Sequence, residues 1–277
     1  MIHNSKPELS VALATYNEER ILTECLSSIK SIADEIVVVD GSSQDKTVEI
    51  ARSFGAKVIV EDNKPIFHIN KQIAIDECRG DWILQLDADE IVTPELAREI
   101  EKIVKASDNR SLMADNQPVA FYIKRKKMFL GRFIKKGGQY PDPVIRLFKK
   151  GKAFLPCKSV HEQMQVNGET GWLKEPMLHL PTPSFSVYIT KDNRYSTLTA
   201  NEFYDKNLAL NAQSFLTYVF VKPFLTFFSL FIRHRGFEDG FPGFVFALFS
   251  GLHYVSAYVK YWEMKNTKNK DIEKDWK

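Results

Sequence analysis

The chain has 277 residues, enough for more than one minimal domain, and a net charge of only +3. That balance gives no indication of nucleic-acid binding and makes local basic clusters the informative feature. Cys25, Cys78 and Cys157 are scattered without a pairing pattern, which fits a reducing compartment. Residues 1–8 are polar and lead directly into the first apolar run, unlike a secretory signal peptide.

Short apolar runs at residues 9–14, 35–40 and 56–60 read as strands, and periodic segments at 18–32, 47–54 and 70–79 read as helices. A fourth apolar run ends at Leu84-Gln85-Leu86-Asp87-Ala88-Asp89-Glu90. Strands alternating with helices imply a parallel sheet, and near-continuous Val and Ile fits burial on both of its faces. Ligands of such sheets sit beyond the carboxyl ends of the strands. The clusters Thr15-Tyr16-Asn17-Glu18, Asp40-Gly41-Ser42-Ser43 and Asp87-Ala88-Asp89 fall at such ends, so three polar groups converge on one edge.

On an extended backbone Asp87 and Asp89 point the same way, with Ala88 turned aside. Two such carboxylates suit Mg or Mn, whose remaining positions substrate phosphates fill, and this suggests a nucleotide diphosphate as co-ligand. An isolated Asp-x-Asp is more often a solvated turn or helix cap. Asp45 and Thr47 read as caps of the following helix, and Gly41-Ser42-Ser43 as turn chemistry.

Together, Ala14-Thr15-Tyr16-Asn17-Glu18-Glu19, Val39-Asp40-Gly41-Ser42-Ser43-Gln44-Asp45-Lys46-Thr47 and Gly80-Asp81-Trp82-Ile83-Leu84-Gln85-Leu86-Asp87-Ala88-Asp89-Glu90 resemble family 2 glycosyltransferases of the GT-A fold, in order and in spacing. The resemblance implies that Thr15, Tyr16, Asn17 and Glu18, with Asp40, hold the nucleoside, typically uridine. It places Lys71 near the nucleotide, and Asp87 and Asp89 on a divalent metal bridging the diphosphate.

After a helix at 94–105, opened by Thr93-Pro94, the chain turns basic and aromatic. Residues 121–127 and 144–151 read as strands with cationic tips, joined by a turn at Pro141-Asp142-Pro143, and a cationic pocket suits an anionic acceptor. An inverting sugar transfer needs a base for the attacking hydroxyl. Glu162 is the candidate and His161 its alternative, on opposite faces if the strand continues. Val160-His161-Glu162 after Arg146-Leu147-Phe148 resembles the lipopolysaccharide core β-1,4-glucosyltransferase subgroup of the family. His179, in a proline-bounded apolar run, is a candidate third metal ligand or a satisfied core residue. Arg194 is a candidate phosphate partner because guanidinium pairs with phosphate in bidentate fashion.

Residues 214–232 and 241–259 are apolar, each close to the roughly 20 residues a bilayer crossing takes. Lys222-Pro223 is expected to break the first run, and Lys222, Arg233 and Arg235 would sit at headgroups if these segments lie in the interface. A soluble helical lid, or a subunit interface, is the plainer reading.

The expected organisation is a GT-A domain over 1–210, with a nucleotide-sugar half at about 1–105 and an acceptor half at about 106–210, followed by a helical membrane-association segment over 211–277. The expected activity is inverting, metal-dependent transfer of a hexose, glucose from UDP-glucose, to a lipopolysaccharide-core or other lipid-linked acceptor. It would take place on the cytoplasmic face of the inner membrane, where the enzyme is peripheral or monotopic. A polyprenyl-phosphate sugar transferase and a non-catalytic nucleotide-sugar-binding protein are the alternatives.

Overall fold

The structure, a computed structural model, describes residues 7–64, 66–106, 117–158, 162–181 and 184–267. The chain divides into two compact units, Met1–Lys126 with Asp142–His179, and Lys127–Pro141 with Leu180–Lys277.

The first unit opens as the periodicity requires, with β1 (Leu9–Thr15), α1 (Leu22–Ile29), β2 (Glu35–Asp40), α2 (Thr47–Ser53), β3 (Lys57–Val60), α3 (His68–Glu77), β4 (Trp82–Asp87), β5 (Glu90–Ile91) and α4 (Pro94–Ala106). It continues through β6 (Ala120–Phe129), β7 (Arg132–Phe133), β8 (Asp142–Lys149), β9 (Ala153–Phe154), β10 (Gln165–Val166), β11 (Thr170–Trp172) and β12 (Met177–His179), of which β7 and the end of β6 belong to the second unit. The main sheet runs β3-β2-β1-β4-β8-β6-β12-β5. Its first four strands are parallel, whereas β8 joins β4 and β6 antiparallel. A parallel half is thus continued by a mixed half, as the GT-A resemblance implies. Asp142 and Pro143, expected in a turn, lie inside β8, where Pro143 pairs with Lys124.

Alternation along β1 explains the two-sided core. Val11 and Leu13 pack on one face with Leu22, Leu26 and Ile29 of α1 and Leu96 and Ile100 of α4. Ala12 turns to the other face, with Ala74 and Ile75 of α3. The α1 and α4 residues recur every three or four positions, so each of these helices presents one apolar stripe to the sheet, whereas α3 also buries His68, Asn70 and Lys71. Each fully buried Leu or Ile contributes on the order of 1.5–3 kcal/mol. β3 departs from the expected two-sided burial. It is the sheet edge, none of its residues is buried, and Val60 is 52% exposed.

Register fixes what matters for function. Thr15 pairs with Asp40 and Ala14 with Asp87, so the carboxyl ends of β1, β2 and β4 finish level.

The second unit is mainly helical: α5 (Phe185–Asp205), α6 (Ala212–Leu216), α7 (Lys222–Phe228) and α8 (Gly240–Thr267). The Ser184 hydroxyl caps α5 by accepting from the Val187 amide, and Asn211 and Ser214 cap α6 reciprocally. Ala200 and Phe203 of α5 pack on Ala257, Tyr261 and Met264 of α8. Lys222-Pro223 does not break the first apolar segment. Thr217–Val221 and Ser229–Arg233 are π-helical, and the helix continues over Ala212–Arg233. Pro223 stands in the first turn of α7, just after the wider π turn, where a missing N–H is tolerated. This helix and Gly236–Thr267 are long and apolar enough to cross a membrane, and the first buries none of its apolar window.

Candidate active site

The level ends of β1 and β2 are tied through Asp40. Its fully buried carboxylate accepts from Thr15 Oγ1 at 2.9 Å, Ser43 N at 2.8 Å and Ser43 Oγ at 2.6 Å. The two following loops are laced together. Asn17, at a left-handed φ of 55°, donates its amide to Ser43 Oγ and accepts from Gln44 N, while Glu18 N donates to Thr47 Oγ1. Asp45 accepts from Thr47 N at 3.0 Å, as expected of a cap, while Thr47 spends its hydroxyl on the neighbouring loop and on Asp45. Tyr16 is 44% exposed, an open aromatic beside the Thr15–Asp40 pair.

At the end of β4 the pattern is ionic. Asp87 Oδ1 is paired with Lys71 Nζ, and Oδ2 accepts from Arg146 Nη2 at 2.7 Å. Burial by itself would raise the Asp87 pKa; Arg146 and Lys71 more than offset it and hold the carboxyl well below the usual carboxylate range. Behind Asp87 lies Glu90, fully buried, accepting from Arg146 Nη2 at 2.8 Å, Arg125 Nη1 at 3.1 Å and the Asp87 amide at 3.0 Å. Arg125 also pairs with Asp142 at 2.7 Å, and Gln85 accepts from Arg146 Nη1. Three cations thus interleave with three carboxylates. Burial disfavours the Arg146 charge, but Asp87 and Glu90 reverse that and raise its pKa above the ordinary guanidinium value.

β4 ends at Asp87, and residues 88–89 form a turn, so strand alternation does not orient Asp89. Ala88 is buried in the core, and Asp89 Oδ2 lies 3.4 Å from His179 Nε2. Pairing of β5 with β12 sets His179 opposite Glu90.

A divalent ion is what the sequence resemblance implies for this place, and the donor set tests it. Asp89 and His179 offer a carboxylate oxygen and a ring nitrogen, compatible with Mn or Mg. Among the described residues His179 Nδ1 is buried without a hydrogen-bond partner. Asp87 is committed, to Lys71 and Arg146. Among the described residues Asp87, Asp89 and His179 do not form a three-ligand cluster. Asp89 and His179 are the pair that would hold such an ion.

A cavity of about 290 Å³ opens beside Asp87. Its lining includes Lys71, Asp87, Arg125, Arg146 and Glu162. Glu162 accepts from the Lys158 amide at 2.8 Å and lies in irregular backbone, so the expected strand does not continue there. His161 lies outside the described residues. Arg194 stands exposed on α5 of the second unit, whereas the cavity, Asp40, Asp89 and His179 all belong to the first.

The profile described as "Glycosyl transferase family 2" matches residues 10–163. The chain belongs to glycosyltransferase family 2. An uncharacterized glycosyltransferase of Rickettsia typhi is 32% identical over 251 residues, covering 86% of this chain and 81% of that one. Lipopolysaccharide core biosynthesis glycosyltransferase LpsC of Rhizobium meliloti is 26% identical over 274 residues, covering 93% of each. Among solved structures, S. aureus TarS 1–349 in complex with UDP-GlcNAc aligns with a TM-score of 0.46 at 19% identity, over 90% of this chain and 81% of that one. The matched family segment takes in the ends of β1, β2 and β4 and closes at the Glu162 loop, short of His179. The residues that partner Asp87 and one another in this glycosyltransferase, Gln85, Glu90, Arg125, Asp142 and Arg146, are not among the expected site residues. The signal was there: Gln85 and Arg146 are polar residues inside apolar strand runs, where burial demands a partner.

Proposed function

We propose that this enzyme is an inverting glycosyltransferase that moves glucose from UDP-glucose to a lipopolysaccharide-core or other lipid-linked acceptor, with Glu162 as the base. The observation that carries the reading is the cavity beside Asp87, whose lining includes Glu162 together with Lys71 and Arg146. A base and a cationic wall are what a displacement at a sugar carbon uses: one takes the proton of the attacking hydroxyl, the other faces the departing phosphate charge. The Lys158 amide steadies the Glu162 carboxylate. Asp87 pairs with Lys71 and Arg146 and so aims both at the cavity. The Thr15–Asp40 pair and Tyr16 form the nucleoside side of the site, and attack from the face opposite the diphosphate yields a β-glycoside from an α-linked donor. Asp89 and His179 would hold a divalent ion, which when bound offsets charge on the leaving diphosphate.

The core biosynthesis role of LpsC, at 26% identity over 93% of both chains, supports the acceptor class. Residues 211–277 are the membrane-attachment segment in this reading, lying in the cytoplasmic interface of the inner membrane. Phe220, Phe224, Leu225 and Phe241 are 56%, 60%, 59% and 72% exposed, and Arg233 and Arg235 flank the first helix.

The test is nucleotide release from a panel of nucleotide sugars by detergent-solubilised protein, with manganese or chelator and a crude lipopolysaccharide extract. Release from UDP-glucose that needs both metal and extract is the expected result. Release from another donor alone would overturn the sugar assignment, and full turnover in chelator would overturn the metal dependence.

A further inference from the structure

The second unit contains a polar cavity that the transfer reaction does not use. It encloses about 370 Å³ between α5, the 212–233 helix and α8, and its polar lining includes Thr199, Glu202, Lys206, Lys222 and His253. The Lys222 ammonium lies 4.5 Å from the ring centre of Tyr218 and 5.0 Å from that of Tyr254. Among the described residues no carboxylate forms an ion pair with it. Ring faces attract an ammonium but do not neutralise it, so the cavity retains one unmatched positive charge.

The other ionisable groups are matched. Lys206 pairs with Glu202 at 3.3 Å. His253 Nδ1 is 2.8 Å from Asp192, and its Nε2 is 3.1 Å from the Thr199 hydroxyl. An anion entering this space meets the Lys222 point charge, with the Thr199 and His253 polar groups on the same lining. Thr199 and His253 are bonded to each other, so the Lys222 ammonium supplies the attraction, and a compact ammonium binds phosphate as a point charge.

We propose that this cavity binds a phosphate group and that at a membrane the phosphate is that of an anionic lipid. The second half of the statement rests on the membrane-attachment reading of residues 211–277. Lys222 follows Phe220 and Val221 and precedes Phe224 and Leu225, all four about half exposed or more. The charge therefore sits at the same level along the helix as side chains that would enter the acyl layer, and lipid phosphate is the anion met there.

The experiment is co-flotation of the full chain with phosphatidylcholine vesicles doped with phosphatidic acid, or with oleate at matched surface charge. Lys222→Gln should lose roughly fivefold in affinity for phosphatidic acid vesicles and little for oleate vesicles, with Lys222→Arg retaining binding. Arg233→Gln, outside the cavity, should weaken both vesicle types alike. Glu202→Gln removes the cavity's own carboxylate from an exposed helical position and should tighten binding to phosphatidic acid. Equal loss on both vesicle types for Lys222→Gln, or no loss on either, overturns the proposal. If the wild-type chain floats with neither, the attachment reading fails and glycerol 3-phosphate is titrated by calorimetry. Binding lost in Lys222→Gln then assigns the cavity to a free phosphate ester, and no binding overturns it.

Discussion

Replacing Glu90 with glutamine keeps the volume of a fully buried side chain and removes its charge. Three hydrogen bonds end on that carboxylate, from Arg125 at 3.1 Å, Arg146 at 2.8 Å and the Asp87 amide at 3.0 Å. A hydrogen bond to a charged group contributes about 1.5–3 kcal/mol against about 1 for a neutral one, so weakening the two guanidinium bonds costs about 2–3 kcal/mol. The amide NH2 of glutamine must also face a donor. The sum approaches the lower end of the roughly 3–5 kcal/mol seen when one partner of a buried ion pair is removed. For a domain of this size class, about 3 kcal/mol lowers Tm by roughly 6–12 °C. Thermal unfolding followed by circular dichroism reads this directly, and a double-mutant cycle with Arg146→Met isolates the pair. The expected coupling is between about 1.5 and 3 kcal/mol. A melting point within about 2 °C of wild type, or additivity within about 0.5 kcal/mol, would refute the claim that Glu90 anchors Arg146.

Other perturbations probe the rest of the site. Glu162→Gln should lower kcat roughly 10²–10⁴-fold while leaving donor binding unchanged by calorimetry; a fully active variant removes Glu162 from the base role. Asp89→Asn should weaken Mn2+ binding, measured by electron paramagnetic resonance, by more than the roughly 10–100-fold that loss of an outer-layer partner costs, and unchanged binding would exclude Asp89 as a ligand. Because the Asp87 pKa is lowered on folding, its contribution to stability is fully present above about pH 3.9 and is lost as pH falls below that value. Denaturant titrations of wild type and Asp87→Asn should therefore converge below pH 4, and a gap closing already between pH 7 and 5 would contradict the assignment. Burial pushes the Cys78 thiol up to about 12, aided by Glu35, and raises Cys25 well above its usual value, aided by Glu90. Neither should take up iodoacetamide at pH 8 in the native protein, as read by mass spectrometry.

The parallel half was legible because its signals are local. Each strand is a short apolar run, each helix keeps a 3.6-residue stripe, and a polar cluster follows each strand, so Thr15, Asp40 and Asp87 could be set on one edge before any coordinates. Partners of Asp87 were not legible in the same way. Arg146 lies 59 residues away, and although its place inside an apolar strand run marks it for burial, nothing local says which carboxylate it meets. Asp89 shows a different failure, since the chain leaves the strand at Asp87 and the two-residue period stops with it. At Pro223 the expectation of a break assumed a strict α-helical ladder. Two π turns absorb the defect and leave a continuous helix.

The level register of β1, β2 and β4 also bears on how such a sequence can change over evolutionary time. Insertions in the connections after α1, α2 or α3 lengthen a surface segment and leave Thr15, Asp40 and Asp87 where they are. One residue inserted within β1 instead reverses every side chain beyond it, sending core residues to the wrong face and parting Thr15 from Asp40. Length variation among descendants of this chain should accumulate in the connections and stop abruptly at the strand boundaries.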